Sequence, residues 1–476
     1  MQLIHNKAMS EIREKSIPKI EYFIYLLLLG FTYTFIYNVN SASFTTSKIL
    51  GCIALLQYVL TIYTWYKTRH SLFDAYIVFI TAFYAFNISQ PILEGLGVDI
   101  TYRRLHEEFL STQEYYCATF YSMLCLLFFH LGALVEVEKR YRTHVITMDA
   151  RRNINAIYKA SILCIVISLP FYLYGLVQDY ITVQVYGYVG LYEVESKSRI
   201  IDIIADFYTP SFIAYYFSSL YKKKKIIIPL IIMVTTIFIP PLILGGRSNA
   251  MIILAIIIVV YSSFKKLSLK RVSIILSAII IALFLMNVAG QLRQTQDKSL
   301  AAYEQMTKDK DSNPVVSTLS EMGWSMFPLG ITTTAIPYKK SYDYGASFFW
   351  SAFSVIPNVG IWKEHPSKTH SAASWLNKYS GFSYGIGYSL IAECYNDFGP
   401  LCFVFIFFIG LWFTRIFKNV SNWSAHNNPM KYVLSVLFLW FSIKCVRNGC
   451  DGMVRGAAYC ILPLFCMFKL MGAKKL

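Results

Sequence analysis

The sequence is poor in charged residues. Only 15% of its 476 residues are Asp, Glu, Lys or Arg, whereas 56% are hydrophobic, and the mean hydropathy is +0.47. A soluble domain carries about 25% charged and about 45–50% apolar residues. The chain therefore has fewer charged and more apolar residues than a soluble domain. This composition excludes an ordinary soluble enzyme, a disordered chain and a secreted disulfide scaffold. The composition is typical of an integral membrane protein with many spans.

Several sequence motifs are also missing. The chain has no glycine-rich nucleotide loop and no His-Glu-x-x-His zinc motif, so we expect no ATP, no NAD, no metal and no other cofactor. Its ten cysteines form neither a Cys-x-x-Cys pair nor a Cys/His metal spacing, and most lie in apolar runs, where cysteine behaves as a small hydrophobe. No small-residue cleavage site follows the first apolar run, which we interpret as a transmembrane helix.

Apolar runs of membrane-spanning length follow one another along the chain. A helix needs about 20 mainly apolar residues to cross the hydrocarbon core. By that criterion we predict about twelve transmembrane helices, near residues 20–38, 49–66, 72–90, 115–135, 157–178, 201–220, 226–244, 249–263, 272–291, 399–417, 431–446 and 457–471. Lysine and arginine are concentrated in alternate connections, which by the positive-inside rule places both termini in the cytoplasm. Most of the net charge of +17 therefore reflects topology, and we expect no nucleic-acid partner.

The connections between these spans are very unequal in length. We divide the chain into a membrane domain with nine spans (1–290), a large periplasmic loop (291–398) and the last three spans (399–476). Loops above about 15 residues are usually functional or disordered. This loop is rich in aromatic residues and glycine, too aromatic for disorder, and we expect a folded lid with short helices.

The first motif of chemical interest covers residues 240–249, at the predicted outer junction of the seventh and eighth spans. Two prolines precede two glycines, Arg247, Ser248 and Asn249. Ser248 or Asn249 can cap the next helix, whose positive end then lies beside the arginine. Free N–H groups, the helix dipole and a guanidinium together favour an anion such as phosphate. The alternative is a tight turn with a snorkelling arginine.

The second motif covers residues 447–455, in the last predicted outer turn. It places Arg447, Asp451 and Arg455 between apolar spans. Positive charge on the outer side departs from the topology rule and indicates a local role. The alternative is an ion pair between Asp451 and one arginine, which contributes little where it is exposed.

The third motif covers residues 381–400, where glycines precede a short helix predicted to start near Ser389. Glu393 and Asp397 are four residues apart and share one face of that helix. An acid at the membrane border is a functional-site hypothesis by default. Glu393 is our first candidate for a general base, or for a group that accepts hydrogen bonds from sugar hydroxyls. A structural ion pair between Glu393 and an arginine is the alternative.

Weaker candidates complete the set. His370 in the long loop is the second candidate for a catalytic base, although a lone loop histidine is more often simply solvated. Sugars are bound by aromatic faces and by polar or acidic side chains. The candidates for sugar binding are Asp202, Tyr388, Asn396 and Asp451.

The architecture of the whole chain resembles that of the Wzy-type O-antigen polymerases of bacterial envelope glycan assembly. Two short motifs carry the resemblance: residues 245–248, which open a span, and residues 387–399, which precede another. The resemblance implies an all-α, GT-C-like integral membrane glycosyltransferase of the bacterial inner membrane with a periplasmic active site. Its substrates would be glycans linked to undecaprenyl diphosphate in the lipid bilayer, and a chain-length regulator is a further expected partner.

The resemblance also implies a mechanism and leaves alternatives. The growing glycan would be transferred as a block onto a new repeat unit, with no metal ion. The family's pattern of periplasmic arginines matches Arg247 by motif and Arg447 and Arg455 by location. These arginines, with Ser248, would bind the diphosphate. An O-antigen ligase acting on lipid A–core is the nearest alternative. A repeat-unit flippase is the alternative from another class, although the matching halves common in transporters are not evident.

Overall fold

The structure is a computed structural model that describes residues 44–69, 71–100, 103–106, 108–138, 149–187, 190–193, 199–223, 227–244, 248–265, 313–358, 362–382 and 385–473, with a few single positions between 270 and 284. In these ranges the regular secondary structure is helical, and one isolated β-bridge joins His106 and Leu110. The all-α prediction is confirmed for this part of the chain.

Within the ranges just given, nine helices precede the long loop. They are α1 (Phe44–Arg69), α2 (Ala75–Asn87), α3 (Ser89–Gly95), α4 (Thr112–Glu138), α5 (Asp149–Tyr186), α6 (Arg199–Asp206), α7 (Tyr208–Tyr221), α8 (Ile227–Ile243) and α9 (Ser248–Phe264). The loop and the last spans contain α10 (Pro314–Gly323), α11 (Phe327–Ala335), α12 (Ala346–Phe353), α13 (Ala372–Ser380), α14 (Leu390–Phe398), α15 (Cys402–Phe417), α16 (Asn422–Asn427), α17 (Pro429–Asn448) and α18 (Cys450–Leu470). Single turns occur at Gly190–Glu193 and Pro366–Thr369.

Six helical segments of the described chain are long and apolar enough to cross a membrane: α1, α4, α5, α17, α18 and the continuous segment formed by α14 and α15. The pair α2–α3, bent by 73°, makes a seventh if it is one span, and α8 and α9 are shorter apolar helices. The predicted first span lies outside the described residues, as does most of the ninth. The structure therefore shows a membrane protein, while twelve spans and a GT-C-like arrangement remain predictions.

The core of the protein lies around α4 and α17. Of the apolar stretches, 83% of α17 and 78% of α4 are buried within the protein, against 22% of α5 and 28% of α18. Helix α4 packs closely on α15 through Gly132 and Gly410, because a side chain at either glycine would overlap the main chain of the other helix. Small residues of this kind allow helix backbones to approach each other in a membrane. This contact holds α15, and with it α14, against the core.

Connections expected on the same side of the membrane contact one another. At one end, Arg69 pairs with Asp74 at 3.7 Å. Near the same end, the buried Glu136 lies 3.6 Å from both Arg415 and Lys418. At the other end, the lid helix α10 meets the α2–α3 bend, since the Leu319 carbonyl accepts a hydrogen bond of 2.7 Å from the Ser89 hydroxyl. Helices α14 and α18 also meet at that end, and their junction holds the candidate site.

Candidate active site

Helix α14 carries the candidate base and is defined sharply at both ends. The Ser389 hydroxyl caps its first turn by accepting from the N–H of Ala392 at 3.3 Å, which confirms the predicted start. Gly399 follows its last residue with φ +57°, and any side chain there would meet the ring of Tyr342 at 2.7 Å. A 3₁₀ turn at Gly399–Leu401 then leads into α15. The short helix is therefore one end of a segment that is long and apolar enough to cross a membrane.

Glu393 is buried and is held by neutral donors. Its Oε2 accepts a hydrogen bond of 2.7 Å from the main-chain N–H of Cys450. The hydroxyl oxygen of Ser351 on α12 lies 3.3 Å from Oε1, and that of Ser347 lies 3.5 Å away. Within the described residues, Glu393 forms no ion pair. The alternative of a structural ion pair with an arginine therefore finds no support in these ranges.

The turn between α17 and α18 brings the second and third motifs together. Gly449 has φ +78°, and a β-carbon there would lie 3.0 Å from Glu393 Oε2 and 3.2 Å from the Tyr388 carbonyl oxygen. Gly387 has φ +76°, and its β-carbon would lie 3.2 Å from the Arg447 carbonyl oxygen. Glycine permits both the left-handed conformation and the close approach. These two glycines let the turn deliver the Cys450 N–H to the carboxylate.

Asp397 shares the Glu393 face of α14, as the spacing predicts. Both carboxylates approach the Ser347 hydroxyl, and Asp397 Oδ2 is the closer at 2.8 Å. Asn396 is fully buried, and its side chain bonds to Lys340, Asp343 and Asp397. Its role in sugar binding remains a prediction, since the amide already has three protein partners.

Tyr388 lies in the protein interior. Its hydroxyl is 2.7 Å from the Thr332 hydroxyl on α11, and only 3% of the residue is exposed. Burial raises the pKa of this phenol, which therefore stays neutral and can donate. The contact joins the segment before α14 to the lid, and sugar binding by Tyr388 also remains a prediction.

His370, the second candidate base, is exposed and stacks on Trp350 of α12, with ring centroids 4.4 Å apart and an interplanar angle of 7°. Ser347 and Ser351, which face Glu393, belong to the same helix. The lid helix α12 therefore carries His370 on one side and contacts Glu393 on another. The role of His370 as a base remains a prediction.

Arg447, Asp451 and Arg455 are exposed around the α17–α18 turn. Asp451 Oδ1 accepts from the N–H of Gly452 at 2.7 Å, and its charge acts on Glu393. Arg455 is near enough for its charge to act on both Asp451 and Asp206 of α6. The α17–α18 turn, which delivers the Cys450 N–H to Glu393, and the first turns of α18 therefore also carry two cations and an acid.

The remaining predicted residues lie further from Glu393 or outside the described chain. Asp202 is exposed on α6, in electrostatic range of Asp206. Arg247 lies outside the described residues, and α9 begins at Ser248, whose side chain is likewise not described. Their roles in binding diphosphate or sugar remain predictions.

Sequence reasoning missed several contacts of the site. Lys340, Asp343, Ser347 and Ser351 carry no motif, and the Cys450 contact uses a main-chain N–H that every residue except proline has. The only available signal was the i, i+4 spacing of Glu393 and Asp397. In the part of the chain that the structure describes, no group of three His, Cys, Asp or Glu residues is placed to hold a metal ion.

Comparison with known proteins identifies the family. The family described as O-antigen polysaccharide polymerase Wzy matches residues 20–475, nearly the whole chain. Neither the curated proteins nor the solved structures compared with the chain contain a match. The family match accords with the apolar helices and does not favour the ligase or the flippase. The chain is thus a membrane protein that belongs to the Wzy family of O-antigen polysaccharide polymerases.

Proposed function

We propose that this protein extends a polysaccharide at the periplasmic face of the bacterial inner membrane. The growing glycan on undecaprenyl diphosphate is the donor, and one repeat unit on the same carrier is the acceptor. The observation that carries the proposal is a buried carboxylate, Glu393, at the end of a membrane-spanning segment. It is held by the main-chain N–H of Cys450 and the hydroxyl of Ser351, and the Ser347 hydroxyl oxygen lies 3.5 Å away. No cation of the described residues pairs with it, so this carboxylate is chemically available.

Glu393 acts as the general base in this mechanism. Its Oε2 is fixed by the Cys450 N–H, which leaves Oε1, beside the serine hydroxyls, to take a proton from the acceptor sugar. The acceptor oxygen then attacks the anomeric carbon as the bond to diphosphate breaks. Proton transfer to a positioned base contributes about 10²–10⁴-fold to the rate. A single displacement of this kind inverts the anomeric centre.

The leaving diphosphate needs positive charge and no acid catalyst. Arg447 and Arg455, exposed at the turn beside Glu393, supply guanidinium groups suited to phosphate oxygens. Arg247 and Ser248 would add a second cation and a helix N-terminus. Preorganised donors stabilise the charge that develops on a leaving group. The guanidinium groups take the place of a divalent metal ion in this proposal.

The sugars lie on the acidic and aromatic side of the site. Asp451 and Asp202 are exposed and can accept hydrogen bonds from sugar hydroxyls. Trp350, stacked with His370, presents an aromatic face on the lid. In this arrangement the lid covers the glycan while the α17–α18 turn holds the diphosphate.

Glu393→Gln tests the base directly, because glutamine keeps the size of the side chain and removes its basicity. The purified full-length variant is placed in lipid nanodiscs with a lipid-linked repeat unit, and chain growth is followed on gels. We expect chain growth to fall by about 10²–10⁴-fold. Glu364→Gln is the matched control, because Glu364 is an exposed acid of the same lid. Glycan chain growth at the wild-type rate by the Glu393→Gln variant would refute the assignment of Glu393 as the base.

Arg247→Ala in cells distinguishes the proposed activity from its alternatives. A polymerase defect removes long polysaccharide and retains lipid A–core capped with a single unit. A flippase defect removes that capped form as well. A ligase defect leaves long glycan on the lipid carrier and none on lipid A–core. Either of the last two outcomes would contradict the proposed function.

A further inference from the structure

Lys340 lies in the lid between α11 and α12, next to a second lysine. The two lysines have different surroundings. Lys339 is exposed. The Lys340 ammonium donates to Asp343 Oδ2 at 2.6 Å and to Asn396 Oδ1 at 2.7 Å. It also lies 5.5 Å from the centre of the Trp375 ring. Of its side chain 21% is exposed, and its bond to Asn396 ties the ammonium to α14.

The ammonium determines which way the Asn396 amide points. A lysine ammonium has three donors and no acceptor, so the amide oxygen of Asn396 has to face Lys340. The amide nitrogen therefore faces the carboxylates, and it donates to Asp343 Oδ2 at 2.8 Å and to Asp397 Oδ1 at 3.0 Å. The reversed amide would oppose its NH₂ group to the ammonium and its oxygen to two carboxylates.

The chain of hydrogen bonds continues from Asp397 to Ser347. Its hydroxyl lies 2.8 Å from Asp397 Oδ2 and 3.5 Å from Glu393 Oε1. A hydroxyl has a single hydrogen, which goes to the nearer carboxylate. Ser347 therefore turns a lone pair towards Glu393. The hydroxyl of Ser351, at 3.3 Å, is left as the side-chain donor to Oε1.

We propose that Lys340 is a positioning residue that orients a relay of hydrogen bonds towards Glu393. The relay runs from Lys340 through Asn396 and Asp397 to Ser347. With the relay so directed, Glu393 Oε1 meets one hydroxyl donor before the reaction. After Oε1 has taken the proton of the acceptor sugar, the Ser347 lone pair is ready to accept a hydrogen bond from it. Lys340 touches no reacting atom and acts through Asn396, Asp397 and Ser347. The inference rests on the proposed role of Glu393 as the base.

Removing the ammonium has a defined consequence for the relay. Without Lys340, the Asn396 oxygen loses its donor and the Asp343 carboxylate loses its cation, so the amide that holds Asp397 Oδ1 is no longer fixed at both ends. The Ser347 hydrogen can then move from Asp397 to Glu393, where it would occupy the oxygen that has to take the proton. Substrate contacts are not changed by this step. The effect should therefore fall on kcat and not on KM.

Three variants of the full-length protein in lipid nanodiscs test the inference, assayed with a lipid-linked repeat unit on the monodisperse fraction. We expect Lys340→Met to lower kcat about tenfold or more, with KM nearly unchanged. Lys340→Arg, which keeps the charge and the donors, should recover most of kcat. Lys339→Met makes the same change of charge one residue away and should match the wild type.

Other outcomes would overturn the inference. A higher KM with unchanged kcat would show that Lys340 binds a substrate anion. A lower apparent Tm with unchanged kcat would show that it only stabilises the lid. If Glu393→Gln is inactive and Lys340→Met is not impaired, the inference about Lys340 alone is wrong. If Glu393→Gln retains full activity, the proposed base fails, and this inference fails with it.

Discussion

The main-chain N–H of Cys450 offers a direct test of how the candidate base is held. Its nitrogen lies 2.7 Å from Glu393 Oε2, and Cys450 is the first residue of α18. Proline lacks the N–H and is tolerated at the first position of a helix. Gly449, with ψ −178°, already has the extended ψ required before a proline. Cys450→Pro should therefore remove this hydrogen bond and leave α18 in place.

The expected magnitude follows from the geometry. A hydrogen bond to a charged group contributes about 1.5–3 kcal/mol, which corresponds to about 10- to 150-fold in rate. The proline ring adds a displacement, because its Cδ lies about 1.5 Å from the nitrogen, towards Oε2. The carboxylate oxygen has to move by about 2 Å to regain an ordinary carbon–oxygen contact. The loss should then approach the about 10²–10⁴-fold expected for a missing base.

The assay compares Cys450→Pro with Cys450→Ala. Alanine keeps the N–H and removes the thiol, including its 3.4 Å contact with the sulfur of Cys445. Both purified variants are measured for chain growth in nanodiscs, and their apparent Tm values are compared at one scan rate. We expect the alanine variant to match the wild type in activity. The proline variant should stay folded with a lower apparent Tm, because it loses a buried hydrogen bond, and should lose activity.

Equal activity of the proline and alanine variants would refute this reasoning, because it would show that the main-chain bond does not position Glu393. The double variant Glu393→Gln with Cys450→Pro provides a second check. Residues that act as one unit are not additive, so the double variant should be no slower than Glu393→Gln alone. A further tenfold loss in the double variant would assign Cys450 to a different function.

Two further predictions concern packing and buried polar contacts. Gly410→Ala should cost about 1–3 kcal/mol and lower the apparent Tm, because its β-carbon would lie 3.0 Å from main-chain carbons of Phe129 and closer still to the carbonyl oxygen. Gly175→Ala, with open space around it, should instead stabilise α5 by about 0.5–1 kcal/mol, and equal Tm shifts would contradict the close approach. Tyr388→Phe should lose about 1 kcal/mol of stability with its hydrogen bond to Thr332, and an unchanged apparent Tm would contradict that contact, whereas a higher KM would support the predicted contact of Tyr388 with the sugar.

Local patterns in the sequence determined the class of this protein. Apolar runs of about 20 residues can be stable only in lipid or in a large core, so composition and run length led directly to a membrane protein. The spacing of Glu393 and Asp397 likewise placed both acids on one face, since helix geometry alone decides that relation. The glycines before Ser389 also predicted that a short helix starts near that residue.

The partners of those acids were decided only by the tertiary structure. The Cys450 N–H, the serine hydroxyls and the Lys340 ammonium are separated from α14 by about 40 to 60 residues, and each belongs to a group that occurs throughout the chain. A main-chain N–H carries no sequence signal, and one lysine of a pair cannot be told from the other until the lid is placed. Hydrogen bonds depend on distance and direction in space, so the hydrogen-bond partners of Glu393 emerge only when the lid, α14 and the α17–α18 turn are brought together.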